Sequence, residues 1–196
     1  MTSEINKINE LRFVTERLLI RDHREEDLQG LASLIMCEKE MFYIMDLFAP
    51  DTEAVKRNLD TAIEAIDLPF RDKYFFAILE KETGAYVGEV GFTVVEKSIC
   101  SVGSETPQIV ELGYFIKQEF WGKGYVTEAA RAVVSYAFEI LNIHKIITGC
   151  VKDNVGSEKV MLKLGFTKEG ELKKHQLVSG NWKDRVVYGY LKEDYR

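Results

Sequence analysis

The residues best placed to do chemistry gather around a glycine turn. Leu112 to Ile116 is an apolar, strand-like run. It is followed, after a short polar step, by Trp121-Gly122-Lys123-Gly124-Tyr125 and then by apolar residues recurring at three and four, the spacing of a helix. Glycine lacks a Cβ and lets backbone come close to a ligand. A helix start leaves several N–H groups without intrahelical acceptors and carries the positive end of the helix dipole. The chemistry on offer is therefore anion binding, and a diphosphate is the usual occupant of such a turn. Two common phosphate signatures fail. A Walker loop needs a glycine five positions before Gly122 and a Ser or Thr where Gly124 stands. A dinucleotide fingerprint needs a third glycine about three residues on, and none stands there.

The elements that must hold this turn belong to an ordinary globular chain. Its 196 residues suffice for one well-packed domain, residues 1–196, with 1–12 expected to be a poorly ordered segment. With 46% hydrophobic and 30% charged residues, the composition argues against disorder and collagen-like repeats. No run of about 18 apolar residues occurs, so no membrane span is expected. Met1 to Glu10 is polar and partly acidic, unlike a secretory signal. Cys37, Cys100 and Cys150 form no CxxC pair, and their odd number makes a poor disulfide framework; they fit a reducing, cytoplasmic setting. His23, His144 and His175 are scattered, so no metal site is expected. A net charge of −6 disfavours nucleic-acid binding and mildly favours cationic partners such as amines. Tyr114, Phe115, Trp121 and Tyr125 could form a base-stacking face, but stacking grooves are basic, so core and pocket wall is the preferred reading.

Periodicity predicts the following order. Phe13 to Arg21 reads as one strand. Two amphipathic helices follow, the first on Leu28, Leu31, Leu34 and Ile35. The second is on Val55, Leu59, Ala62, Ile63 and Ile66, with Asp51 and Thr52 as caps. Met41 to Met45 is an apolar link, either core or pocket lining. Tyr74–Glu80, Ala85–Glu96 and Ile109–Lys117 read as an antiparallel meander with a turn at Glu82-Thr83-Gly84. A helix over residues 122–141 then crosses to a strand over 144–151, which should lie parallel to the Ile109 strand. A helix over 155–164, capped by Asn154 and Gly165, precedes a closing hairpin of Leu172–Val178 and Trp182–Leu191. The fold class is mixed α/β: a mostly antiparallel sheet flanked by helices, with one parallel strand pair that splays apart where a long thin ligand can insert.

Phe120-Trp121-Gly122-Lys123-Gly124-Tyr125-Val126-Thr127-Glu128-Ala129 lies after Glu-Leu-Gly-Tyr-Phe-Ile and some 40 residues before Leu-Gly-Phe. Together with Thr15-Glu16-Arg17-Leu18-Leu19-Ile20-Arg21 and Asn154-Val155-Gly156-Ser157-Glu158-Lys159, it resembles the GNAT acetyltransferase superfamily. More narrowly it is similar to the ribosomal-protein N-terminal (RimJ/RimL-type) branch. The resemblance implies acetyl-CoA as donor and direct attack by an amine. It places a pyrophosphate on the backbone amides of Trp121, Gly122, Lys123, Gly124, Tyr125, Val126 and Thr127, and pantetheine on the backbone of Phe115 and Ile116. Asn154 and Ser157 would face the thiol end. Glu119 stands where the superfamily favours Arg or Gln. A carboxylate would repel diphosphate, so Glu119 is expected to point outward, with Gln118 or Lys117 taking part instead.

Acetyl transfer needs a neutral amine, a polarised carbonyl and a proton for the leaving sulfur. Glu111, opening the cofactor strand, is the candidate base, with Glu89 on the neighbouring strand as second choice; water is the further alternative. Many superfamily members use a Tyr where this chain has Met161, which cannot donate a proton; Ser157 is then the candidate acid. Cys150 could carry an acyl group, but a direct mechanism needs no nucleophile. The acceptor expected is an α-amino group of a protein or peptide, for example a ribosomal protein. A small amine (polyamine, amino acid or aminoglycoside) is the alternative, and a weakly catalytic acetyl-CoA sensor the third reading. Aromatic residues on the closing hairpin offer a surface for a homodimer.

Overall fold

The computed structural model describes residues 10–68, 71–101 and 104–196. The described residues form one eight-stranded sheet of order β1-β2-β3-β4-β5-β6-β8-β7. Its strands are β1 (Arg12–Val14), β2 (Leu18–Arg21), β3 (Lys73–Glu80), β4 (Tyr86–Ser101), β5 (Ser104–Ile116), β6 (Lys145–Val151), β7 (Thr167–Val178) and β8 (Asn181–Leu191). All neighbours run antiparallel except β5 and β6, which are parallel, as the helical crossover between them requires. Two helices, α1 (Leu28–Ile35) and α2 (Thr52–Glu64), cover one face. The other face carries α3 (Tyr125–Ser135), with α4 (Val155–Leu164) packed beside it.

Strand parity sorts the side chains between the two faces. Val110, Leu112 and Ile116 of β5 enter a core with Val126, Ala129, Ala130, Val133 and Val134 of α3. Phe115 joins the opposite core with Leu31, Leu34, Val55 and Leu59. Small residues on the inner stripe of α3 let it lie close to the sheet. The Asp51 carboxylate accepts from Ala54 N–H at 2.8 Å and so caps α2.

Several elements differ from the sequence reading. The stretch 13–21 is two strands, not one, because Thr15 to Arg17 makes a turn fastened to α3. Glu128 accepts from the Thr15 hydroxyl (2.6 Å), the Arg17 amide (2.9 Å) and Arg17 Nε (2.7 Å). Arg12 lies in β1 and the Leu11 N–H donates to the Asp22 carboxylate, so this part of 1–12 is anchored; residues 1–9 lie outside those described. The third helix starts at Tyr125 rather than Gly122 and widens to a π turn over Tyr136–Ile140. That turn sends Tyr136 to Phe13 and Phe138 to Tyr190 and Tyr195. The β4–β5 hairpin runs on to the Ser101–Ser104 pair through several register shifts. In the closing hairpin Ser179 and Gly180 both have positive φ (47° and 77°), the twist that suits a two-residue turn.

The Glu128 anchor yields a pH-dependent test. Burial pushes its carboxyl up, but the hydrogen bonds from Thr15 and Arg17 outweigh this and hold it below the ordinary value of 4.5. Its stabilisation is complete above that value and is lost as pH falls through the lowered native one. Glu128→Ala is expected to cost about 2 kcal/mol at pH 7 by urea unfolding, with the gap to wild type closing on acidification.

Candidate active site

The site is built where β5 and β6 part. They share three rungs, Ile109–Lys145, Val110–Ile146 and Glu111–Ile147. One step further the Thr148 hydroxyl still reaches the Leu112 carbonyl at 3.0 Å. Past that point the strands have no common pairing, and a gap opens between them. Lys117 N–H donates to Val87 O, and a Cβ built on Gly88 would lie 2.3 Å from the Phe115 carbonyl. Odd-numbered residues of this stretch thus turn their backbone toward β4, and even-numbered ones toward the gap. This corrects the reading that gave Phe115 and Ile116 equal access. The gap-facing edge belongs to Tyr114 and Ile116, and the Ile116 carbonyl already accepts from the Trp121 indole at 3.0 Å.

At the end of β5, residues Gln118–Phe120 form a 3₁₀ turn, and the Gln118 N–H is held by the Glu40 carboxylate at 2.8 Å. Trp121 N–H closes that turn onto Gln118 O, so its amide is spoken for, a second correction. Gly122 and Gly124 take φ of +75° and +79°, which L side chains rarely adopt, and Gly124 is the N-cap of α3. The first helical bond is Glu128 N–H to Gly124 O. The N–H groups of Gly122, Lys123, Gly124, Tyr125, Val126 and Thr127 meet no acceptor among the described residues. They form an open cradle of donors at the positive end of a helix, the chemistry that fits a diphosphate.

Arg17 Nη1 donates to the Lys123 carbonyl at 2.9 Å and steadies the turn from outside. Lys123 lies over the Phe120 ring and Lys117 over Tyr86. Glu119 is exposed, as expected. A groove of about 700 Å³ runs from Gly124 and Thr127 along the solvent side of α3 past Arg131 to Lys163.

The two candidate carboxylates share the α1–α2 face of the sheet, a point sequence parity alone left open. Glu111 pairs in register with Thr93, Gly113 with Gly91, and Phe115 with Glu89. The glycine pair leaves the centre of this face without side chains of its own, and the Phe75 ring leans over it, 3.2 Å from where a Gly113 Cβ would stand. At one end Glu111 accepts from Arg185 Nη2 at 2.9 Å, its side chain 45% exposed. Arg185 is tied back through Gln176 to the carbonyl of Tyr43 in the 36–47 link. At the other end Glu89, 10% exposed, meets His23 Nε2 at 3.1 Å and the Tyr86 hydroxyl at 3.3 Å. Burial lowers the affinity of His23 for a proton, but Glu89 and then Asp27 raise it further, so the net shift is upward and favours an imidazolium–carboxylate pair. Neither Arg185 nor His23 was singled out from sequence. Each lies far along the chain from its carboxylate, and only sheet order joins them.

On the opposite face lie Tyr114, Cys150 and Ser157. Asn154 caps α4, its Oδ1 accepting from Ser157 N–H at 3.1 Å. The Tyr114 hydroxyl lies 3.0 Å from both the Ser157 carbonyl and the Ser157 hydroxyl. Burial raises the Cys150 thiol, which makes it a poor nucleophile. Met161 is fully buried core. Of the hairpin aromatics proposed for a dimer face, Tyr188 is buried and Trp182 is exposed. The link's Met41 is core, whereas Phe42 and Met45 are exposed. No group of three or more metal-ligating side chains occurs among the described residues, and no helix there is long and apolar enough to cross a membrane.

A mixed sheet split at its one parallel pair, with a donor-rich helix start at the end of the split, suits a long ligand that carries a diphosphate. The acetyltransferase (GNAT) domain matches residues 17–167, and the chain belongs to that family, an acetyl-CoA-dependent N-acetyltransferase. It is 35% identical over 124 residues to a probable N-acetyltransferase, YjcK, of Bacillus subtilis, covering 63% of this chain and 64% of the relative. It is 22% identical to the ribosomal protein uS5-alanine N-acetyltransferase of Escherichia coli, over 97% of this chain and 95% of that one. The crystal structure of spermidine N-acetyltransferase from Vibrio cholerae, in complex with CoA and spermine, shares the fold. Its TM-score is 0.76 at 19% identity, covering 92% of this chain and 99% of that one.

Replacing Gly124 with Glu puts a carboxylate into the cradle at a positive φ. Titration calorimetry is expected to show acetyl-CoA binding in wild type and none in Gly124→Glu, while far-ultraviolet circular dichroism stays native. Equal binding by both proteins would remove the turn from the donor site.

Proposed function

We propose that the chain acetylates the α-amino group of a protein or peptide. The observation that carries this reading is that both carboxylates on the acceptor face already have cationic partners, Glu111 with Arg185 and Glu89 with His23. A polyamine brings several positive charges and calls for several unpaired carboxylates. An α-amine brings one charge on an extended chain, which suits a face with a bare glycine centre and an aromatic floor.

In this reading the donor supplies an activated acetyl thioester. The amides of Gly122 to Thr127 hold its diphosphate, the groove along α3 with Arg131 and Lys163 receives its nucleotide end, and Ile116 with Tyr114 lines its arm. Asn154 fixes the first turn of α4, so that Ser157 can donate a hydrogen bond to the sulfur as negative charge develops there. Glu111, directly or through water, takes the proton that the acceptor ammonium must lose before it can attack as a neutral amine. Arg185 holds that carboxylate in place across the gap. The reaction proceeds without a metal, and the cytosol supplies both the donor and ribosomal or other protein N-termini.

A panel of ten-residue peptides with free or acetylated N-termini, together with spermidine and an aminoglycoside, distinguishes the readings. CoA release with free peptides only is expected. Release with spermidine alone would replace the acceptor class, and tight acetyl-CoA binding without release from any amine would favour a sensor. Glu111→Gln should lower the turnover number about a hundredfold at saturating acetyl-CoA. An unchanged rate would remove Glu111 and shift the test to Glu89→Gln.

A further inference from the structure

The proton on the Ser157 hydroxyl can go to the Tyr114 oxygen, to the Cys150 sulfur or into the gap, and Tyr114 decides whether the first of these is open. Tyr114 stands three residues beyond Glu111 on β5, and Cys150 three residues beyond Ile147 on β6, so they flank the gap at the same step past its last shared rung. Ser157, at the start of α4, reaches both. The Tyr114 oxygen is 3.0 Å from the Ser157 carbonyl and 3.0 Å from the Ser157 hydroxyl, yet it carries a single proton. If Tyr114 donates to the carbonyl, its oxygen accepts the Ser157 proton, and nothing is left for a ligand in the gap. If Tyr114 donates to the Ser157 hydroxyl, the Ser157 proton is released from Tyr114 and turns to the gap side, where the Cys150 thiol or a bound sulfur can accept it. Burial pushes the Tyr114 hydroxyl well up, so it keeps its proton and acts only by where it directs it. Without this donor, a serine in a first helical turn tends to turn its proton back to a carbonyl of its own helix.

We propose that Tyr114 is a positioning residue that turns the Ser157 hydroxyl proton toward the sulfur of bound CoA. The inference rests on the role given to Ser157 above and extends it to a residue on the facing strand. The overall reaction stays balanced: the neutral amine forms a C–N bond to the acetyl carbon and loses one proton, the C–S bond breaks with its electron pair on sulfur, and one proton returns to that sulfur. Ser157 and Tyr114 end the cycle protonated as they began.

The test uses CoA itself and needs no acceptor. Wild type, Tyr114→Phe, Ser157→Ala and the double variant are each loaded with CoA, and the thiolate is followed by ultraviolet absorbance against pH. The same protein loaded with dethio-CoA serves as blank, which subtracts the protein's own Cys and Tyr titrations. A hydroxyl donating to the thiolate lowers the pKa of the bound thiol. Each single variant is expected to raise it by about one unit, and the double variant by no more than either single, since Tyr114 works through Ser157. A shift in Ser157→Ala but none in Tyr114→Phe overturns this inference and leaves the Ser157 role standing. No shift in Ser157→Ala overturns both. A lower melting temperature for Tyr114→Phe with an unmoved thiol pKa would mark Tyr114 as merely structural and likewise end the proposal.

Discussion

The rest of the site depends on β5 and β6 staying together for three rungs and then coming apart. A sheet normally satisfies its backbone groups by continuous pairing, so an open edge inside a sheet carries a cost unless something else meets it. Here the first step of the opening is bridged by Thr148, and the far end by the Trp121 indole on Ile116. Between these two, the edge at Tyr114 is left for a ligand. The separation also sets the two chemical faces: the gap has acids on the α1–α2 side and hydroxyl and thiol groups on the α3–α4 side. A ligand threaded through it meets both.

The glycine turn completes the same design. Its amides point outward because the chain around it is tied down by other means. Trp121 is closed into a 3₁₀ turn, Gln118 is held by Glu40, and Lys123 by Arg17. Glu128 is oriented by the β1–β2 turn, so the first strand pair, remote in sequence, braces the start of α3. An anion cradle made of backbone is only as well placed as the elements that fix it. That explains why a half-buried glutamate and a half-exposed arginine beside the turn matter to how its amides are held.

Much of the architecture was legible in the chain. Periodicities of three and four located α1, α2 and α3, and Asn154 and Gly165 bracketed α4 at the residues where it begins and ends. The parallel relation of β5 and β6 followed from a helical crossover. The single strand read over 13–21 was wrong because Thr15-Glu16-Arg17 carries no glycine or proline, and its turn is fixed by a carboxylate more than a hundred residues away. The edges of β4, β5 and β7 were underestimated because register shifts break the alternation that marks a strand.

By itself the sequence determined the fold class, the glycine turn at a helix start and the types of titratable group on offer, because these rest on local spacing and on what glycine and a helix start can do. Tertiary structure decided which groups meet. Arg185 on Glu111, His23 on Glu89 and Tyr114 on Ser157 are contacts between distant stretches, set by sheet order and by which face each odd or even residue takes. Local propensity does not encode such pairings. They arise only when eight strands are laid side by side in one sheet, and the aim of each candidate catalytic group follows from them.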